Sequence, residues 1–320
     1  MRVLVTGGLG FIGRAVAVRL VEAGHDVSVL TSRPAEAIHD APTGVTVLHA
    51  DLRDREQVLR VVGGVSFAAV CHLAARSRIR ESFCDPLGYY ETNVTGTLNL
   101  LQALAGSAEP AGEPTRVVNA STVMVYGPSN GEPISEDTSP RPTSPYGSSK
   151  LAAEQLVGCY AATGAVGAVS LRIFSAAGAV DGHGDSDLSR IIPKALAVAA
   201  GREPYFEVNG DGSAVREFTH VADIAEAFLL ALDAAHAGQH QIFNVGTGIG
   251  ISVKDILATA EAVAGRSLTV VTRPAQNEPA ALIANAQRLR EQLRWRPMRS
   301  TIDQIITDAW KATSMRNDKA

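Results

Sequence analysis

The chain is expected to fold as an α/β protein, with a doubly wound parallel sheet in its first half and a smaller lobe in its second. Three observations carry that expectation. Short apolar, β-rich runs alternate with helix-like stretches from the first residues onward. A glycine-rich turn, Gly7-Gly8-Leu9-Gly10-Phe11-Ile12-Gly13, stands between the first such run and the first helical stretch. The 320 residues are 46% hydrophobic and 19% charged, which fits one large domain or two unequal ones with full cores.

In chain order, residues 3–6 read as a strand, 14–23 as a helix and 26–30 as a strand. A strand over 45–49, a helix near 55–62, a strand over 69–72, a helix over 89–104 and a strand over 116–120 follow. Parallel strands need long crossovers, and the intervening helices supply them while covering both faces of the sheet. The proline-rich run 139–145 stops at a helix over 146–162. Beyond it, the Gly- and Asp-rich stretch 177–189 reads as a mobile loop. Helices near 191–200 and 221–234 and a tail after Ile251 read as the smaller lobe. The expected division is residues 1–174 for the first domain and 175–320 mainly for the second, with segments returning to the first.

The formal charge, 29 − 33 = −4, is too small to argue for nucleic acid or an anionic membrane, and there is no Lys/Arg-rich run. No apolar run approaches the ~20 residues that span a bilayer, and the N-terminus has no signal-peptide layout. Cys71, Cys84 and Cys159 lack C-x-x-C spacing and read as reduced structural thiols. A cytoplasmic protein with no metal site is expected. In that setting the triplets Asn93-Val94-Thr95 and Asn119-Ala120-Ser121 would not be glycosylated.

The spacing of Gly7, Gly10 and Gly13, directly after a strand and opening a helix, points to a dinucleotide site of the Rossmann type. The chain must turn tightly, approach a pyrophosphate without a Cβ in the way and aim free amides at it. Phe11 and Ile12 belong to the same turn. After the second strand, where an acidic residue would hold the ribose hydroxyls of NAD, stand Thr31, Ser32 and Arg33. A guanidinium there can pair with a 2′-phosphate, so NADP(H) is favoured over NAD(H), which stays possible. Asp51 and Leu52, after the third strand, are placed to meet the adenine edge.

Tyr146 and Lys150 are four apart at a helix start and share one face. Hydride transfer at an alcohol or ketone needs a proton donor and acceptor at the oxygen. A tyrosine, at a pKa of about 10, serves near neutrality once a neighbouring ammonium favours its phenolate. Thr122, closing a strand, would hydrogen-bond the same oxygen. His72 and His220 read as satisfied structural histidines.

These residues resemble the extended short-chain dehydrogenase/reductase family, and within it the UDP-glucose 4-epimerase group. The resemblance runs from Arg2 to about Trp310. It rests on the glycine turn, on His72-Leu73-Ala74-Ala75, on residues 85–97 and on Pro145-Tyr146-Gly147-Ser148-Ser149-Lys150. Leu171-Arg172-Ile173-Phe174 and Arg216-Glu217-Phe218-Thr219-His220-Val221-Ala222-Asp223 complete it. It implies that Thr122, Tyr146 and Lys150 are catalytic. It places Ala74, Ala75, Asn93 and Phe174 near the cofactor and makes the C-terminal lobe the sugar or sugar-nucleotide grip. It also implies a homodimer formed through the helices over 89–104 and 146–162.

The chain departs from the family pattern at several points. Val123 and Met124 follow Thr122 where dehydratases carry acidic residues, which argues against water elimination. Ser175 stands where epimerases have an asparagine. The C-terminal arginine-rich segment is replaced by residues 273–279, with Glu278 as the remaining carboxylate and Arg190 and Arg216 as alternative phosphate partners. With Arg33, these departures favour an NADPH-dependent sugar ketoreductase working at carbon 4. A nucleotide-sugar 4-epimerase with bound NAD is the alternative, and a non-catalytic NAD(P)-sensing protein comes third.

Overall fold

The computed structural model describes residues 1–38, 40–107, 114–129, 131–275 and 281–317. At its centre is a seven-stranded, wholly parallel sheet. Its strands are β1 (Arg2–Thr6), β2 (Asp26–Thr31), β3 (Val45–His49), β4 (Ala69–His72), β5 (Thr115–Thr122), β6 (Val166–Ile173) and a seventh, His240–Val245. The spatial order is seventh–β6–β5–β4–β1–β2–β3. The chain therefore winds outward from β1 to β3, then crosses back and winds the other way from β4. The crevice beyond the C-terminal ends of β1 and β4 is the topological switch point, where open α/β sheets bind ligands.

The sheet is covered on both faces, as its sequence requires. In β1, Val3 and Val5 pack into one buried cluster and Leu4 into another, the two-residue alternation of a strand. The first cluster lies under the helices Phe11–Glu22 and Val221–Ala234, whose Val16, Leu20, Ile224 and Phe228 are fully buried. The second lies under Arg55–Val62, Gly96–Ser107 and Pro145–Ala162, through Val58, Leu100, Leu104 and Val157.

Two segments of the second half return to this first body. The helix Val221–Ala234, expected in the smaller lobe, covers the sheet, and His240–Val245 closes its edge. The helix is mostly apolar, which marks burial but not which core receives it. The smaller lobe has its own cluster. Ile192, Leu196, Phe206, Val208, Ile256, Ile305 and Ile306 bring together the helices Ile191–Ala199, Val253–Ala264 and Ile302–Asn317. Among the described residues, the tail after Ile251 thus contributes two of these three helices. The stretch expected as a loop over 177–189 contains a small hairpin, Ala179–Val180 with His183–Gly184, turned by Asp181 and Gly182 at φ 53° and 70°.

The helix expected over 89–104 begins earlier, at Pro86, because the Asp85 carboxylate accepts from the Gly88 amide at 3.1 Å and Pro86 occupies the first turn. It contains a π-turn over Glu91–Thr95 before continuing as Gly96–Ser107. Such turns interrupt helices mostly at functional sites. No helix among the described residues is long and apolar enough to cross a membrane.

Candidate active site

The glycine turn closes on the switch point. Gly7 has φ 70°, and a Cβ there would sit 2.8 Å from the Ala74 amide nitrogen. A Cβ on Gly13 would lie 2.2 Å from the Gly7 carbonyl oxygen. Gly10 caps the first helix and donates its amide to that same carbonyl at 2.9 Å. Backbone alone therefore lines the cradle, with Phe11 and Ile12 half-buried beside it. A cradle that any side chain would fill, at the open N-terminus of a helix, fits a dinucleotide pyrophosphate.

The Thr6 hydroxyl accepts from the amides of Leu73 and Ala74, at 3.2 and 3.1 Å, and donates to His72 Nδ1 at 2.7 Å. His72 Nε2 meets Thr97 Oγ1 at 2.9 Å, and Thr97 donates to the Asn93 carbonyl at 2.6 Å. With Thr97 committed as a donor, its oxygen accepts from His72, which sets the Nε2–H tautomer. Burial first, then the Lys150 charge, depress the His72 pKa to about 3. His72 is a neutral strut that orients Thr6, which in turn holds Leu73 and Ala74 beside the glycine turn.

At the other end of the cofactor crevice, Thr31 is buried, while Ser32 and Arg33 are exposed. The Arg33 amide donates to Thr31 Oγ1 at 3.1 Å. The Asp51 carboxylate is engaged with Arg53, whose hydrogen bonds hold it below the ordinary carboxylate range. Leu52 points into the core, against Gly96.

Ser144 caps the helix Pro145–Ala162 by accepting from the Gly147 amide at 3.1 Å, and Pro145 enters its first turn. That start places Tyr146 beside Thr122, the last residue of β5, with their hydroxyls hydrogen-bonded. Burial raises the Tyr146 pKa, while the Thr122 bond and the Arg190 charge oppose the rise. The ring of Tyr89 meets that of Tyr146 edge-on, with centroids 6.3 Å apart. Lys150, one turn further on, is 3% exposed. Burial depresses its pKa to about 8, and Glu154 acts against that fall. Asn93, on the π-turn, donates to Ser149 Oγ at 2.9 Å and to the Arg76 carbonyl at 3.1 Å, and accepts from the Arg76 amide at 2.8 Å. It ties the Tyr146 helix to the loop after β4.

A cavity of about 590 Å³ opens on the smaller lobe, where Arg190, Lys194, Arg216 and Tyr205 are among the residues lining it, and Arg80 joins them from the first half of the chain. Arg190 is paired with Asp185 at 2.9 Å and Lys194 with Glu203. Through Arg190 the cavity reaches electrostatically to Tyr146. Ser175 heads the strand Ser175–Ala177, paired with Phe218–His220, and does not line the cavity. Phe174 is buried with Val125 and Tyr126. Glu278 lies outside the described residues.

Thr6, Ser149, Tyr89 and the cavity cations Arg80 and Lys194 were not among the residues singled out from the sequence. Thr6 carried a usable signal, a hydroxyl closing the strand before the glycine turn. Ser149 and Tyr89 stood inside the motifs that carry the resemblance without a role assigned to them, and Arg80 and Lys194 are brought to the cavity only by the tertiary fold.

A phenol able to exchange a proton, set beside a glycine cradle at the switch point of a parallel sheet, defines a dinucleotide-dependent enzyme of the extended short-chain dehydrogenase/reductase type. The model of the NAD dependent epimerase/dehydratase family matches residues 3–246, and the chain belongs to that family. A UDP-glucose 4-epimerase of Streptomyces lividans is 39% identical over 319 residues, covering 96% of this chain and 94% of the relative. The structure of a UDP-glucose 4-epimerase from Stenotrophomonas maltophila, with bound NAD and formylated UDP-arabinopyranose, superposes with a TM-score of 0.90. It is 30% identical, with both chains fully covered. That of Bifidobacterium longum, in complex with NAD+ and UDP, gives 0.88 at 27% identity, again over both whole chains.

These likenesses overturn the expectation of an NADPH-dependent ketoreductase. Relatives that match over 96–100% of this chain are UDP-glucose 4-epimerases, and both structural neighbours described above hold NAD. The expectation rested on Arg33 and on nucleotide contacts judged to be weakened. Arg33 is an exposed residue of a turn held by Thr31, a position compatible with a ribose that carries no phosphate. Arg190 and Arg216 share one cavity, so cations for a diphosphate are present although the C-terminal segment differs.

Proposed function

We propose that this enzyme is an NAD-dependent nucleotide-sugar 4-epimerase that interconverts UDP-glucose and UDP-galactose. The observation that carries the reading is the Thr122–Tyr146 hydroxyl pair, on which Arg190, a residue lining the cavity with Arg216, acts through its charge. NAD, which Gly7, Gly10 and Gly13 would hold at its pyrophosphate, would supply a hydride acceptor and donor for carbon 4.

The chain's own residues do the rest. The Tyr146 phenolate accepts the proton of the 4-hydroxyl as the hydride leaves and gives it back on return. Thr122 hydrogen-bonds the same oxygen. The ammonium of Lys150 and the guanidinium of Arg190 favour the phenolate against the burial that opposes it. Arg190 and Arg216, which line one cavity, hold the diphosphate. Gly7, Gly10, Gly13, Ala74, Ala75 and Asn93 position the dinucleotide, with Thr31 at its ribose end. Because oxidation and reduction cancel, the cofactor has no need to leave between turnovers.

The substrate lobe in this reading starts at residue 175, apart from the segments that return to the sheet. Two copies pair through the helices carrying Tyr89 and Tyr146. Support for that pairing is the row of exposed Leu87, Tyr90 and Leu98, at 81%, 40% and 40%. A cytoplasmic setting agrees with the free thiols of Cys71, Cys84 and Cys159.

The test is to incubate the purified enzyme with UDP-galactose and no added cofactor, and to follow UDP-glucose with a coupling dehydrogenase. Sustained conversion, with NAD released on denaturing the protein, is expected. Absence of conversion by enzyme shown to hold NAD would refute the reading.

A further inference from the structure

Two tyrosines stand at the site, and the chemistry above uses only one of them. Tyr89 is fully buried on the helix Pro86–Tyr90, with its ring edge-on to that of Tyr146 at 6.3 Å and 77° between the planes. That separation and angle are those of an attractive aromatic pair. The Tyr89 hydroxyl is committed on both sides, donating to the Arg78 carbonyl at 2.6 Å and accepting from the Arg78 amide at 3.0 Å. The Arg76 guanidinium lies over the ring, 4.5 Å from its centroid, and is itself held by Asp85 and Glu81. Asn93, one turn further along, accepts from the Arg76 amide and donates to the Arg76 carbonyl. Two side chains of one helical run therefore staple the loop after β4 at Arg76 and Arg78. The same staples fix Tyr89 at its hydroxyl and at one face of its ring.

We propose that Tyr89 is a positioning residue whose ring holds the Tyr146 phenol in line with the reacting oxygen, its own hydroxyl serving as an anchor and not as a second acid or base. The proposal rests on the reading of Tyr146 as the group that exchanges the proton. Tyr146 is half-buried, and its hydroxyl is tied to Thr122. In that reading both hydroxyls turn to one substrate oxygen, so the bond between them is not what aligns the phenol during the reaction. The contact with Tyr89 changes no partner. It is made by a ring that cannot swing, because the Arg78 backbone holds its far end and Arg76 covers its face. Tyr89 does not line the cavity and its hydroxyl is spent on Arg78, so it acts on substrate only through Tyr146.

The test is steady-state turnover of UDP-galactose, with kcat expressed per site that holds NAD, alongside 13C-tyrosine NMR of the Tyr146 ring assigned against Tyr146→Phe. A role confined to folding would lower the number of such sites and leave kcat per site and the Tyr146 signals as in the wild type. Tyr89→Leu removes the ring, and kcat per site falls about 10–100-fold, the loss that misaligned reacting groups bring. KM stays within about twofold, since substrate binding is untouched, and the Tyr146 signals move. Tyr89→Phe keeps the ring, holds the Tyr146 signals near their wild-type positions and recovers kcat to within about fivefold. Tyr89→Met is a second ring-free variant of similar bulk, with the same result expected should Tyr89→Leu not fold. A folded ring-free variant with wild-type kcat per site would overturn the proposal. So would a Tyr89→Phe variant as slow as the ring-free ones, which would give the role to the hydroxyl. If the wild type does not turn over UDP-galactose at all, the reading of the reaction fails, while the Tyr146 signals still decide whether Tyr89 sets that ring.

Discussion

Tyr146 is half-buried, and burial resists its becoming a phenolate, so its use as a base depends on the groups around its oxygen. Thr122 and Arg190 act on it directly, and Lys150 stands one turn away. Tyr146→Phe should lower kcat by two to four orders of magnitude, roughly the share of general acid–base catalysis, with NAD retained on gel filtration. Lys150 gives a two-sided pH dependence. Its folded pKa of about 8 lies below its ordinary 10.5, so the folded state binds fewer protons than the unfolded one between those values. Stability should therefore rise with pH across that window, read as Tm, while turnover falls as the ammonium is lost. Lys150→Met should abolish the rise in Tm. Thr122, Tyr146 and Lys150 were legible in the sequence because a strand end and an i, i+4 spacing are local patterns. The bond from Asn93 to Ser149 and the approach of Arg190 to Tyr146 were not, because each joins residues that only the tertiary fold brings together.

At the scale of elements, the glycine turn is the most constrained part of the site. Gly7→Ala adds a Cβ against Ala74 at a positive φ, and Gly13→Ala drives one into the Gly7 carbonyl. Each should cost at least about 1–3 kcal/mol, the usual range for a strained backbone position, measured by urea unfolding. Each should also release the dinucleotide during purification. The strands and crossover helices of the first half were readable from alternating apolar runs and the glycine signature, within a few residues at their ends. The π-turn over Glu91–Thr95 was not, since its cause is the anchoring of Asn93 to the loop at Arg76 and not a helix-breaking residue. The placement of Val221–Ala234 was also hidden, because an apolar helix carries no label for the core it enters.

At the scale of the molecule, the sheet supplies the cofactor cradle and the smaller lobe supplies the cationic wall of the cavity. The exposed row Leu87, Tyr90 and Leu98 belongs to the helix that carries Tyr89. Leu87→Glu with Leu98→Glu should convert a dimer into monomers in light scattering at micromolar concentration, with little change in secondary structure by circular dichroism. A wild-type monomer under those conditions would refute the pairing. What was misread from the sequence at this scale was the choice between net reduction and epimerisation. Arg33 is visible as a residue type, but its exposure is not. Arg190 and Arg216 stand apart in the chain yet line one cavity.

The central claim is that one carbon loses its hydride and regains it within the same site. UDP-galactose deuterated at carbon 4 tests it most directly, with the enzyme in ordinary water and the products read by mass spectrometry and proton NMR. Retention of deuterium at carbon 4 of the UDP-glucose formed is the predicted result. Its loss to solvent, or its appearance in free reduced dinucleotide, would contradict the account.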